Sequence, residues 1–554
     1  MQLIERRIGF VFALFLLFLG LGAIRAAWLG VVRADTLRAA AATQQQASID
    51  VPARRGSIVD RNGLELAVSE PAVSIAATPY LVRDPLKVAR ILSPVINEPQ
   101  ADLLEKLSRK DTGFVWLARK VPGARGRKVR KLGIEGLELV PESRRIYPRK
   151  FLASQLLGLV GTDGDGLAGL EHRHDDVLRG RAGKRQLVKD AMGDAIKLSE
   201  ERKAIVGKPL KLTLDARIQE RTEQVLAAVG ERYRPRKGAT AVVMDPRNGE
   251  ILAMANWPRV DANNVGAAPE WARQNRAIGT SYEPGSTFKA FPVGGALEEG
   301  KVNPGTTFQL GPTIQVADRE IGEANDHVYG TQTTAGIIQK SSNVGTVMIG
   351  QRLTATRFDH WVRRFGFGRP TGVDLPGEEG GILLPLEKYS GSSMGNLPIG
   401  QGLAVTPMQM ATAYSAIANG GVLRPPRVVK EIGSDPTALP PGRRILRKRT
   451  ADQLRSMLEG VIDPNGTASV AQIPGYKLAG KTGTAEKPDP ITGGYSEVNY
   501  VASFVGFAPA RNPRLLVTVM VDEPEGDIYG GSVAAPAWRE ITSFALNYLK
   551  IPPK

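Results

Sequence analysis

The stretch SYEPGSTFKAF, Ser281 to Phe291, decides how this chain reads. Pro284-Gly285 punctuates a loop. Ser286 follows it, where a helix is capped or opened. Lys289, three residues on, falls on the same helical face. A hydroxyl and an amine are therefore held side by side at a helix start. They are either a reactive pair or an ordinary cap beside a solvated lysine, and the surrounding sequence has to decide.

Two later stretches bear on it. KSSNVG places Ser341, Ser342 and Asn343 at the end of a helical pattern that begins at Thr334. KTGTA places Lys481, Thr482, Gly483 and Thr484 on the strand pattern Tyr476–Glu486. A lone S-x-x-K is common. The ordered set S-x-x-K, S-x-N, K-T-G within one domain is specific. A serine hydroxyl is a weak nucleophile and needs an adjacent base. No histidine stands in a suitable motif, so Lys289 is the candidate. A free lysine has a pKa of ~10.4. Burial, a helix N-terminus and a second cation such as Lys481 all lower it. Ser341 is placed to relay a proton to a leaving amine, and Asn343 offers amide groups to the backbone of an acyl donor. Gly483 is expected to let a substrate strand lie along the Lys481 strand. Asp245 and Asp374 read as turn residues, and Asn343 also suits a helix C-cap.

The same domain has a legible layout. LKLTLDARIQERTEQVLAAV (Leu210–Val229) predicts a short strand and a helix capped by Asp215. Ala239–Ala255 predicts a hairpin turning at Asp245–Gly249, and Asn499–Pro524 a second, turning at Pro509–Pro513. With the Lys481 strand these make five strands. Helices such as Pro407–Gly421 lie between, and another follows Ala534. The expected class is α+β, an antiparallel sheet flanked by helices, with strands drawn from both ends of the domain. At roughly 100–200 residues per domain, the 554-residue chain holds several domains. The divisions expected are 1–33, 34–207 and 208–554.

The first division is a charged start followed by the uncharged run Ile8–Ile24, extended by Ala26–Val32. Its length suits one membrane crossing. Arg25 and Trp28 suit the outer interface, and Arg6 and Arg7 favour an N-terminus on the cytoplasmic side. An uncleaved anchor is expected, with the bulk of the chain outside the cytoplasmic membrane. Ala34–Gln46 reads as a helical or extended stalk, Ala53–Ser69 as a hairpin around Asp60–Gly63, and Ile91–Leu107 as helical. Lys and Arg exceed Asp and Glu by 73 to 56, a net charge of +17 that suits an anionic polymer or surface. The basic run Gly123–Gly133 has no interleaved aromatics for base stacking, so no nucleic acid is expected. The chain has no cysteine, which excludes disulfides and thiol chemistry. Its four histidines are scattered, and neither a metal nor a cofactor is expected.

Taken together, RRGSIVDRNGLELAVS, RIYP, GLAGLE, LTLDARIQ, AVVMDPRNGEILAMAN, YEPGSTFK, QKSSNVG, KTGTAEK and YGGSVAAP resemble the class B penicillin-binding proteins over nearly the whole chain. LAVSEPAVSI makes the chain look most like the division type (FtsI-like), with the elongation type as the alternative. The resemblance implies a single transmembrane helix, an elongated pedestal with a dimerisation or partner role, and a C-terminal penicillin-binding transpeptidase domain. It implies a membrane-anchored D,D-transpeptidase that takes peptidoglycan stems ending in D-Ala-D-Ala and is acylated by β-lactams. Ser286, Lys289, Ser341, Asn343 and Lys481 would be catalytic. Thr482, Gly483 and Thr484 would bind substrate, with Lys481 and the two threonines holding its carboxylate. The backbone N–H groups of Ser286 and Thr484 would form the oxyanion site. A multispanning SEDS-type glycosyltransferase (FtsW-like) and other divisome membrane proteins are the implied partners. A β-lactamase, a β-lactam sensor and a non-catalytic scaffold are the rival readings. The short stretch before Ile8 leaves little for a cytoplasmic signalling element.

Overall fold

The computed structural model describes residues 2–35, 46–189, 195–489 and 493–553. Residues 36–45 of the expected stalk lie outside them. The N-terminal run forms α1 (Gln2–Ala27), continued by a π-helical turn at Trp28–Val32. It is the one helix among the described residues long and apolar enough to cross a membrane. At its end the Arg25 and Arg33 guanidiniums lie 4.9 and 4.7 Å from the centre of the Trp28 ring, as cation–π pairs do.

The chain packs into two compact units, one of which includes Pro71–Ser143. The other gathers Gly207–Lys554 with two earlier segments, Arg55–Glu70 and Arg144–Arg179. The hairpin expected at Asp60–Gly63 is present: β1 (Ile58–Val59) pairs antiparallel with the start of β2 (Glu65–Ala77), Ile58 opposite Ala67. Farther along, β2 pairs with β3 (Val115–Pro122). The stretch expected as one helix over Ile91–Leu107 is instead two, α2 (Pro85–Ile96) and α3 (Gln100–Leu107). Asn97 ends the first with φ of 64°, a left-handed conformation that asparagine tolerates. Pro99 then disfavours helix in the residue before it. Ala89, Leu92, Leu103, Leu107, Leu117 and Val129 close a small core there. Val129 comes from α4 (Gly123–Lys131), which leaves Arg125, Arg127, Lys128, Arg130 and Lys131 exposed.

In the larger unit three of the quoted motifs meet. Arg55 Nε lies 2.5 Å from Glu171 Oε2, and Arg145 Nε lies 2.6 Å from Glu171 Oε1. Arg55 Nη1 reaches Asp175 Oδ1 at 2.6 Å, and Tyr147 OH donates to Glu171 Oε1 at 3.4 Å. Glu171 is fully buried, so its charge is tolerated only because two guanidiniums answer it.

The sheet has the five expected strands. β4 (Leu210–Leu212) and α5 (Ala216–Tyr233) precede it, and Asp215 caps α5 by accepting from the N–H groups of Arg217 and Ile218. β5 (Gly238–Met244) and β6 (Ile251–Trp257) form the first hairpin. From the far end of the chain come β7 (Ala479–Pro488), β8 (Tyr495–Ala508) and β9 (Leu515–Asp522). The strand order is β6-β5-β9-β8-β7, every neighbour antiparallel. β5 and β9 are buried at every residue, as continuous apolar runs covered on both faces should be. β7 is left at an edge, and there the site is built.

Candidate active site

Two turns and the edge strand converge. The first is a single 3-10 turn, Gly285–Lys289, feeding the helix Ala290–Glu298. Its floor is aromatic. Phe288 and Phe291 are fully buried, with Phe291 4.9 Å from Phe365, 4.8 Å from Phe367 and 5.3 Å from Tyr414 between ring centres. Tyr414 OH donates to Thr287 O at 2.6 Å, and Thr287 Oγ1 to Pro284 O at 2.7 Å. Ser286 lies inside this turn, whose N-cap position is taken by Pro284, and the turn has no side-chain cap. The ordinary-cap reading therefore fails: Ser286 does not occupy the cap position, and Lys289 is buried rather than solvated.

The second turn joins the helices Thr334–Lys340 and Asn343–Arg364. Ser341 closes the first with φ of 61°. A non-glycine residue held there costs on the order of 1–3 kcal/mol, a strain that clusters at functional sites. Asn343 opens the second helix and so is not a C-cap.

These turns bring the motif residues together. Lys289 Nζ donates to Ser341 O at 2.5 Å and Asn343 Oδ1 at 2.6 Å, and lies 3.4 Å from Ser341 Oγ. Lys481 Nζ donates to Ser341 Oγ at 2.9 Å and Thr482 O at 3.2 Å. Ser341 Oγ thus bridges two lysines, both 0% exposed. Burial pushes Lys289 down to about 7, with Glu323 pulling the other way. Burial and then the charge of Lys289 hold Lys481 well below the ordinary lysine value. Two ammonium groups buried side by side disfavour each other's charge, so the lysines titrate as a pair.

The edge strand seals the arrangement. Thr482 Oγ1 and Thr467 Oγ1 lie 3.0 Å apart, and Thr484 Oγ1 accepts from Gly530 N–H at 3.0 Å, which leaves its own proton to donate. Glycine at 483 also has a packing reason. A Cβ there would stand 2.9 Å from Pro284 O and 2.5 Å from Ser503 Oγ, so Gly483 seats the strand on the Ser286 turn. A Cβ at Gly285 would likewise stand 2.9 Å from Thr484 O. The Ser286 backbone and Thr484 are therefore close neighbours.

Some residues carried no sequence signal. Glu323, nearly buried, accepts from Ser342 Oγ, from Asn343 N–H at 2.6 Å and from Val344 N–H at 3.3 Å. Gly322 O accepts from Asn343 Nδ2 at 2.9 Å. Glu283, beside the nucleophile turn, accepts from Gly402 N–H at 3.1 Å and Tyr495 OH at 3.3 Å, and burial pushes its carboxyl up to about 7. Asp374, at a bend, reaches across the fold and accepts from the N–H groups of Val428 and Val429 at 2.8 and 3.0 Å.

A serine beside two buried, mutually coupled lysines at the edge of a five-stranded sheet defines a serine acyltransferase of the penicillin-recognising kind. Residues 239–543 match the penicillin binding protein transpeptidase domain, and residues 50–212 the penicillin-binding protein dimerisation domain. The probable peptidoglycan D,D-transpeptidase PenA of Neisseria meningitidis is 34% identical over 99% of this chain and 93% of its own length. The peptidoglycan D,D-transpeptidase FtsI of Escherichia coli K12 is 33% identical over 96% and 89%. The crystal structure of penicillin binding protein 3 from Mycobacterium tuberculosis, complexed with aztreonam, superposes with a TM-score of 0.73 at 33% identity, covering 91% of this chain and 98% of that one. The chain belongs to the class B penicillin-binding proteins and carries their transpeptidase domain.

Proposed function

We propose that the chain is a membrane-anchored peptidoglycan D,D-transpeptidase, with Ser286 as nucleophile and Lys289 as its base. The observation that carries this is the sharing of Ser341 Oγ by two fully buried lysines, in the site that also contains the Ser286 turn. With Lys289 pushed down to about 7, its neutral amine is populated at physiological pH. It takes the Ser286 proton as Oγ attacks the carbonyl of the penultimate D-Ala of a stem peptide. Backbone N–H groups of Ser286 and Thr484 stabilise the oxyanion. The proton passes through Ser341, between the lysines, to the departing D-Ala amine. Asn343 orients the donor backbone, and Lys481, Thr482 and Thr484 hold the terminal carboxylate. An amine of a neighbouring stem then attacks the acyl-enzyme and restores Ser286. β-Lactams imitate the donor and stop after acylation.

Residues 34–207 are read as a partner platform and residues 208–554 as the transpeptidase. The N-terminus lies in the cytoplasm and the bulk outside it. The FtsI and PenA relatives favour a septal role with an FtsW-like SEDS glycosyltransferase and other divisome proteins, over the elongation type. Two experiments separate the parts. Intact-mass analysis with benzylpenicillin gives one adduct on the wild type and none on Ser286→Ala; an adduct that persists in Ser286→Ala overturns the nucleophile. A fluorescent fusion collects at the septum; uniform lateral localisation overturns the division role.

A further inference from the structure

Glu323 follows the strand Arg319–Gly322 and is nearly buried, yet no lysine or arginine lies within ion-pair distance of it among the described residues. A buried carboxylate without a cation is costly unless donors and a favourable field replace it. Here three donors do so, all at the start of the helix Asn343–Arg364: Ser342 Oγ, Asn343 N–H at 2.6 Å and Val344 N–H at 3.3 Å. Ser342 Oγ in turn accepts from Gly345 N–H at 2.9 Å, and Gly322 O receives Asn343 Nδ2 at 2.9 Å. The segment 322–323 therefore grips the two residues that follow the strained Ser341: Ser342 Oγ is held on Glu323, and the Asn343 amide is oriented with Nδ2 on Gly322 O and Oδ1 on Lys289 Nζ. Two charges face Lys289: Lys481 from the edge strand opposes its ammonium, and Glu323 favours it.

We infer that Glu323 is a positioning residue for acylation, holding the Ser341–Asn343 turn against Lys289 and setting a carboxylate on the lysine pair's side of that turn. This rests on the reading of Lys289 as base and names what fixes that base. A lysine pair with no proton lacks the cation that draws in a carboxylate, and a pair with two lacks the base. Glu323 biases the pair toward one.

The test is the pH dependence of benzylpenicillin acylation on the full chain in detergent, for wild type, Glu323→Gln, Glu323→Asp and Ser342→Ala. In wild type the rate climbs through the acid limb where the lysine pair deprotonates. Glu323→Gln removes the charge, so the limb moves to lower pH by about one unit, on the scale expected for one charge at short range. Its plateau falls at least tenfold as the turn loosens. Glu323→Asp moves the limb the same way by less and keeps more of the plateau. Ser342→Ala loosens the turn without touching charge, so its plateau falls and its limb stays. A limb that is unmoved or raised in Glu323→Gln, or in Glu323→Asp should the glutamine variant not fold, overturns the charge role. A Ser342→Ala limb that moves as far as that of Glu323→Gln reduces Glu323 to scaffolding and overturns it as well. Absence of wild-type acylation, or labelling of Ser286→Ala, instead overturns the underlying reading of the site.

Discussion

Two clusters of buried charge in the same unit make opposite use of it. At Arg55, Arg145, Glu171 and Asp175 the charges alternate, and the Glu171 carboxylate is met by two guanidiniums and the Tyr147 hydroxyl. At Lys289 and Lys481 like meets like, with one hydroxyl between them and a carboxylate held back by a helix terminus. The first cluster neutralises itself and ties three segments together. The second stays unneutralised, and the cost of burial appears as a Lys289 pushed down to about 7 and a Lys481 held well below the ordinary lysine value. Alternating charge supports a fold; paired like charge keeps a base available.

The contrast breaks most sharply at Lys289. Lys289→Met should lower acylation by at least ~10³-fold, within the range of a general base, while stability measured by urea unfolding changes by no more than ~1–2 kcal/mol. The lost hydrogen bonds are offset by removal of a charge buried beside another. Glu171→Ala should do the reverse. It strands two guanidiniums and should cost ~3–5 kcal/mol in the same assay, while the surviving folded fraction is still acylated at Ser286.

A smaller effect separates the clusters by pH. Both lysines have folded values below the ~10.4 of an exposed lysine. Between about 7 and that value the unfolded chain therefore binds more protons than the folded one, and stability rises with pH, by ~1 kcal/mol per unit for one proton. The gain is complete above the unfolded value and is lost as pH falls toward about 7. Thermal unfolding from pH 7 to 9 should show this climb in wild type and a shallower one in Lys289→Met. The smallest effect belongs to the edge strand. Thr484→Val loses one donor to the substrate carboxylate and one acceptor for Gly530 N–H, and should slow acylation by roughly tenfold, the effect of about one hydrogen bond.

Much of this was legible in the sequence. The five strands, the Asp215 cap and the ordered S-x-x-K, S-x-N and K-T-G set are local patterns, and local patterns survive folding. The break at Asn97 is also local, with Pro99 as its sequence signal. Glu323 was illegible because its partners lie twenty residues on, and no motif marks a carboxylate that caps a later helix. The packing reason for glycine at 483 is illegible because backbone approach by Pro284 is a tertiary fact. The packing of Arg55–Glu70 and Arg144–Arg179 with the C-terminal unit was hidden in the same way: composition marks boundaries along a chain but not segments that return to a distant core.

The central claim is that Ser286 is activated by a neutral Lys289. The most direct measurement is the rate of benzylpenicillin acylation from pH 5 to 9, with the adduct located by peptide mapping. The account predicts a single adduct on Ser286, whose rate rises about tenfold per pH unit at low pH and levels off above about 7. A rate independent of pH across that range, or an adduct on any other residue, would contradict it.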